Sequence, residues 1–192
     1  MGKLTLILGG ARSGKSSYAE RLALQHGGQV LFVATAQPLD GEMAERIANH
    51  QKNRPANWQT LEIASAVGAL LQSRMQSETL KTGVILVDCL TLLVSNLLLA
   101  VSSGTGEDLT VDEEAATALV ETEITRLLEA IQIIPAEWII VSNEVGLGLV
   151  PPYPLGRVYR DLLGRANQRL ASRADQVIFM IAGIPMRLTP LD

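Results

Sequence analysis

Eight consecutive residues, Gly9-Gly10-Ala11-Arg12-Ser13-Gly14-Lys15-Ser16, have the types and the spacing to hold a string of phosphates. They fit G-x-x-x-x-G-K-[ST], with the glycines at Gly9 and Gly14, the lysine at Lys15 and the hydroxyl at Ser16. In such a loop, main-chain N–H groups surround the phosphates at the start of a helix. The lysine neutralises the β- and γ-phosphates, and the serine hydroxyl holds Mg²⁺. The flanks agree: residues 3–8 read as a short buried strand and residues 17–25 as an amphipathic helix. Binding of ATP or GTP is the expectation.

Other chemistry-bearing residues lie further along. Asp88 follows the apolar run 84–87, as expected of an acid that orders Mg²⁺ on the β- and γ-phosphates. The same residue could act as an acidic helix N-cap, and the two roles are compatible. Ser142-Asn143-Glu144 follows another apolar run; Glu144 could be a general base or an acid in a surface turn. The chain has two histidines. His26 precedes Gly27-Gly28 at a helix end and reads as structural. His50 shares a helical face with Met43 and Ile47, with basic Arg46, Lys52 and Arg54 close by. It is either a satisfied core histidine or a group that works on a phosphate.

The elements that must position these residues alternate between strand and helix. Strands are expected at 29–34, 58–63, 84–87, 138–141 and 176–181, with a last edge strand at 187–191. Helices are expected at 42–53 (Asp40 as N-cap, ended by Arg54-Pro55), 64–77, 91–101, 112–133 and 155–173. Residues 102–108 read as a polar loop. Continuous apolar strands alternating with helices imply an α/β fold, a mostly parallel sheet flanked by helices. Chemistry then gathers at the carboxyl ends of the strands, where the phosphate loop, Thr35, Asp88 and residues 142–144 all fall.

Composition narrows the class. The 192 residues, 47% hydrophobic, suit one catalytic domain over residues 1–192, with no linker or repeat. A net charge of −4 gives no case for nucleic acid. The single cysteine, Cys89, cannot form an internal disulfide, which suits the cytoplasm. No signal peptide is expected at the N-terminus. Residues 84–101 carry one charge and reach the lower limit for a membrane span, but Asp88 inside them argues for a strand followed by a buried helix.

Together these residues resemble the bifunctional adenosylcobinamide kinase/adenosylcobinamide-phosphate guanylyltransferase family of cobalamin (vitamin B12) biosynthesis. The resemblance rests on GGARSGKS, Val33-Ala34-Thr35, the run Glu42 to Ile47, and His50 with Arg54-Pro55-Ala56 and Trp58. It extends to Ser142 through Gly146 and to Gly164 through Leu170. Two departures are visible: Asn49 stands where some members have a second histidine, and Asp88 where some have glutamate. The resemblance implies a P-loop NTPase of RecA-like type that assembles as a homotrimer. It implies phosphorylation of adenosylcobinamide with ATP or GTP, then transfer of GMP from GTP to adenosylcobinamide phosphate through a GMP–histidine intermediate. The matching nucleophile is His50. Ala34, Thr35, Ala36, Gln51, Lys52, Asn53, Arg54 and Glu62 are implied in contacts to the guanine nucleotide, with Mg²⁺ at Ser16 and Asp88. Glu62 is chemically apt, since one carboxylate can accept from guanine N1–H and N2–H₂. A kinase for another small metabolite, with His50 inert, and a nucleotide-dependent switch are the competing readings.

Overall fold

The computed structural model describes residues 2–38, 41, 44–45, 48, 51, 54–77, 82–104 and 110–188. A seven-stranded sheet forms its centre. Its strands are β1 (Lys3–Gly9), β2 (Val30–Ala34), β3 (Gln59–Glu62), β4 (Val84–Asp88), β7 (Glu137–Val141), β8 (Gln176–Ile181) and β9 (Ile184–Leu188). Their spatial order is β3-β2-β4-β7-β1-β8-β9. All neighbours are parallel except β8 and β9, which form an antiparallel hairpin at one edge. Parallel neighbours need crossovers, and the helices supply them. The described helices are α1 (Lys15–His26), α2 (Val67–Gln76), α3 (Leu90–Ala100), α4 (Glu113–Ile133) and α5 (Pro154–Ala171).

The central strands are apolar on both faces because both are covered. One face presents Leu4, Leu6, Leu31, Val33, Ile85, Val87, Trp138 and Ile140 to the apolar sides of α2, α3, α4 and α5. The other presents Ile7, Phe32, Leu86, Ile139 and Val141 to Ala19 and Ala23 of α1 and to Trp58. The expected parallel sheet and alternating order are therefore present. The run 84–101 divides as expected into β4 and α3, and no helix among the described residues is long and apolar enough to cross a membrane.

Several boundaries move for identifiable reasons. The helix expected from residue 64 begins at Val67, because Ala66 takes a left-handed φ of 57°. Its first N–H groups are capped from far away: Glu123 of α4 accepts from Ala66 and Val67 N–H, both at 2.8 Å. Asp112, expected as the first residue of its helix, is the N-cap of α4 and accepts from Ala115 N–H at 3.0 Å. The polar loop at 102–108 begins with β5 (Ser102–Ser103), which pairs with β6 (Thr110–Val111); residues 105–108 lie outside the described residues. The edge strand starts three residues earlier than expected, at Ile184 after the turn Ala182-Gly183; residues 189–191 lie outside the described residues. Of the helix expected at 42–53, Ala44, Glu45, Ala48 and Gln51 are helical; Asp40, Met43, Arg46 and Ile47 lie outside the described residues.

Candidate active site

The phosphate loop joins β1 to α1, and its backbone explains its glycines. Gly9 has φ 148°, and a Cβ there would stand 2.5 Å from the Met180 carbonyl of β8. Gly14, with φ 93°, is the N-cap of α1. Both conformations favour glycine. The loop closes on itself through Ser13 N–H to Gly10 carbonyl at 3.3 Å, and Gly183 N–H braces it from the β8–β9 turn by donating to the Ser13 carbonyl at 3.0 Å. Lys15 is only 8% exposed, and its Nζ donates to the Gly10 carbonyl at 2.6 Å. The Ser13 hydroxyl oxygen is buried with no partner among the described residues. Such an orphan is costly unless a ligand satisfies it.

A cavity of about 410 Å³ opens beside the loop. It is lined by residues 11–17, by Asp88, Cys89, Thr91 and Leu92, and by Val141 and Asn143. The structure thus brings Lys15, Ser16 and Asp88 to one cavity. The reading of Asp88 as a helix cap is corrected here. The N-cap of α3 is Cys89, and no side chain caps that helix. Among the described residues no three His, Cys, Asp or Glu side chains converge as a metal cage. The all-oxygen pair of Ser16 and Asp88 nevertheless fits Mg²⁺, which takes few protein ligands and completes its shell with water and phosphate oxygens. Burial, and next the Asp88 carboxylate, push the Cys89 thiol up to about 12, which disfavours the thiolate at this wall of the cavity.

Thr35 is fully buried and serves the scaffold. Its hydroxyl donates to the Cys89 carbonyl at 2.7 Å and accepts from Cys89 N–H at 2.9 Å. Asn96 of α3 donates to its carbonyl at 2.8 Å. Ala34 ends β2, and Ala36 follows Thr35 at the same carboxyl edge.

A second, smaller cavity of about 270 Å³ is lined by Gln51, Arg54, Pro55, Ala56, Trp58, Thr60 and Glu62. The Arg54 guanidinium lies 3.7 Å from the centroid of the Phe32 ring, which stacks on Trp58. Burial lowers the Arg54 pKa, opposed by the carboxylates of Glu20, Asp88 and Glu62. Its Nε is buried and has no partner among the described residues. Gln51 Nε2 donates to Glu62 Oε1. Gln51, Arg54 and Glu62 therefore line one cavity. His50, Lys52 and Asn53 lie outside the described residues.

Glu144 does not line the phosphate cavity. Its carboxylate accepts from Gly146 N–H at 2.7 Å, closing its own turn. His26 ends α1, as expected of a structural histidine. Sequence reasoning did not single out Thr91 or Asn167. Thr91 lines the cavity and accepts from Asn143 N–H at 2.8 Å. Asn167 of α5 reaches the same segment. Tyr159, also on α5, donates to the Thr91 carbonyl at 3.4 Å, and burial raises its hydroxyl pKa. The available signal for Asn167 was a polar residue within the apolar helical pattern of α5.

One strand, β7, stands between the phosphate-loop strand β1 and the acid-bearing strand β4. A phosphate loop joining the first strand of a mostly parallel sheet to the helix that follows defines a P-loop NTPase fold. The chain belongs to the family described as cobinamide kinase / cobinamide phosphate guanyltransferase, whose model matches residues 5–188. It is 46% identical over 183 residues to the bifunctional adenosylcobalamin biosynthesis protein CobP of Pseudomonas aeruginosa, covering 95% of each chain. It is 41% identical over 185 residues to the bifunctional adenosylcobalamin biosynthesis protein CobU of Salmonella typhimurium, covering 96% of this chain and 99% of that one. Identity to the Escherichia coli protein of the same description is 39% over the same shares. Among solved structures, the RadB recombinase is similar with a TM-score of 0.49 at 15% identity, over 93% of this chain and 74% of that chain.

Proposed function

We propose that this chain, acting as one catalytic domain, phosphorylates adenosylcobinamide and then joins GMP to the phosphate so formed. The observation that carries the reading is the single cavity shared by Lys15, Ser16 and Asp88, in a chain that the family model matches almost end to end. In the first step the cobinamide hydroxyl oxygen bonds to the γ-phosphorus of ATP or GTP. The bond to the β,γ-bridging oxygen breaks, the hydroxyl proton passes to solvent or a base, and the nucleoside diphosphate leaves. The N–H groups of residues 9–16 and the Lys15 ammonium hold the triphosphate, and Lys15 exchanges the Gly10 carbonyl for phosphate oxygens. Mg²⁺, which Ser16 and Asp88 would hold, supplies further charge compensation on the β- and γ-phosphates.

In the second step a neutral His50 nitrogen attacks the α-phosphorus of GTP. The bond to the α,β-bridging oxygen breaks and pyrophosphate leaves. An oxygen of adenosylcobinamide phosphate then displaces His50, giving adenosyl-GDP-cobinamide. We assign Ala34, Ala36, Gln51, Lys52, Asn53, Arg54 and Glu62 to the guanine nucleotide; Thr35, which the resemblance also implied, is fully buried with its hydroxyl and main chain bonded inside the fold, and it supports this edge instead. The grouping of Gln51, Arg54 and Glu62 around the smaller cavity supports this. We place the enzyme in the cytoplasm, in keeping with its lone thiol.

A homotrimer completes the reading. Leu147 and Leu149, 81% and 97% exposed, and the outward Ile184, Met186 and Leu188 of β9 supply apolar surface for subunit contacts. Sedimentation should give three times 20.7 kDa.

The deciding experiment incubates the protein with GTP labelled at the α-phosphorus and denatures it. Label should remain on the chain, be acid-labile and alkali-stable, and disappear in His50→Ala. Labelling should weaken as pH falls through the histidine range, roughly 7 to 6, because only the neutral imidazole attacks. Cobinamide phosphorylation should persist in part. Absence of label, or label on His26, would leave a kinase alone.

A further inference from the structure

Asn143 stands two residues past the end of β7 and lines the phosphate cavity together with Val141, on the same face of the strand. Its main chain is fixed from both sides. Its N–H donates to Thr91 Oγ1 at 2.8 Å, and its carbonyl accepts from Asn167 Nδ2 at 3.0 Å. The neighbours of Asn143 tie it to the phosphate-loop strand. Ser142 N–H donates to the Ile7 carbonyl at 2.9 Å, and Glu144 N–H to the Gly9 carbonyl at 3.1 Å. Both anchors on Asn143 act on its main chain, which leaves its carboxamide for the cavity.

Asn167 is only 5% exposed, on a helix that packs against the opposite face of the sheet from α1. Its orientation has one solution. The Asn143 carbonyl can only accept, so Nδ2 must face it. Oδ1 then faces the Ser142 hydroxyl, which donates to it at 2.7 Å. A buried amide satisfied at both ends in this way is a rigid support. It carries the position of α5 through the strand end into the cavity.

We propose that Asn143 donates from its carboxamide to the transferred phosphoryl group, and that Asn167 is the positioning residue that holds it there. This deepens, and rests on, the reading of the cavity as the triphosphate site. A fixed neutral donor at that place can match the planar, in-line arrangement of the three equatorial oxygens over which the transition state spreads its charge, which is what a transition-state contact requires. Its worth depends on being held to within a fraction of an ångström, and that is the task of Asn167 and Thr91.

The test uses wild type, Asn143→Ala, Asn167→Asp and the double variant. The readouts are kcat and KM for adenosylcobinamide phosphorylation by ATP, and the Kd for GDP and for β,γ-imido-GTP. Asn143→Ala should lower kcat at least about tenfold, typical of losing one such donor. It should weaken the imido-triphosphate but leave GDP within about twofold. Asn167→Asp keeps the shape but sets an oxygen against the Asn143 carbonyl, and should reproduce that pattern. The double variant should be no worse than the worse single, since both remove one contact. Equal weakening of GDP and the triphosphate analogue, an unchanged kcat, or additive losses would overturn the proposal. If Asn167→Asp does not fold, Ser142→Ala takes its place: it frees the amide to turn, and a kcat equal to wild type would sink the positioning role. Wild type that binds no triphosphate would end the site reading and this inference together. Wild type that separates triphosphate from diphosphate, with variants that do so equally well, would end this inference alone.

Discussion

Thr35 and Cys89 hold each other in both directions, the Thr35 hydroxyl donating to the Cys89 carbonyl at 2.7 Å and accepting its N–H at 2.9 Å. The pair ties the exit of β2 to the exit of β4, where Asp88 sits. Thr35→Val keeps the shape but strands the Cys89 N–H, while the Cys89 carbonyl keeps only Leu93 N–H at 3.2 Å. Stability should fall by about 2 kcal/mol, the usual order for stranded buried polar groups, with kcat falling as well. Thr35→Ser keeps both bonds and should restore most of each. Denaturant unfolding and steady-state rates measure the two effects, and a Val variant with wild-type stability would show the pair to be idle.

Lys15 should matter to both reactions, since both place negative charge on phosphates held in one loop. Lys15→Ala is expected to lower cobinamide phosphorylation and GMP transfer by about two orders of magnitude each. Ser16→Ala should lower both less, with a raised requirement for Mg²⁺. If Lys15→Ala spares either reaction, the two steps do not share this loop.

Asp88→Asn should separate metal ordering from folding. Since Cys89, and not Asp88, is the N-cap of α3, the exchange should leave unfolding within about 0.5 kcal/mol of wild type. Activity should fall about a hundredfold and recover partly at high Mg²⁺. A variant that melts early while keeping full activity would return Asp88 to a structural role.

Glu62 should contribute to the choice of guanine over adenine in the nucleotidyl step. One carboxylate oxygen is engaged by Gln51, and the other can accept from the guanine edge. Adenine offers a lone pair at N1 and no amino group at C2, so it would leave the carboxylate unmatched. Glu62→Gln should reduce the GTP-over-ATP preference at least about tenfold in competition assays. Unchanged selectivity would move base recognition to the main chain near Thr35.

The sequence by itself determined what is local. Gly9 and Gly14 marked the loop because only glycine tolerates those backbone angles. The apolar runs 30–34, 84–87 and 138–141 marked buried parallel strands because every residue must leave water. Asp88 was marked by its place after such a run. The residue pattern around His50, Arg54 and Trp58 carried the family. Strand order was not legible in that way. Placing β7 between β1 and β4 depends on which buried faces match across the whole molecule, and no short stretch of chain encodes it. The start of α2 depended on Glu123, 56 residues from Val67 along the chain. That Asp88 is not the cap of α3 depended on where α3 begins. The support of Asn143 by Asn167 required a helix on one face of the sheet to reach a cavity bordered by α1 on the other. Hydrogen bonds over such separations form only once the fold has paid the entropy of bringing their ends together, so tertiary structure alone decided them.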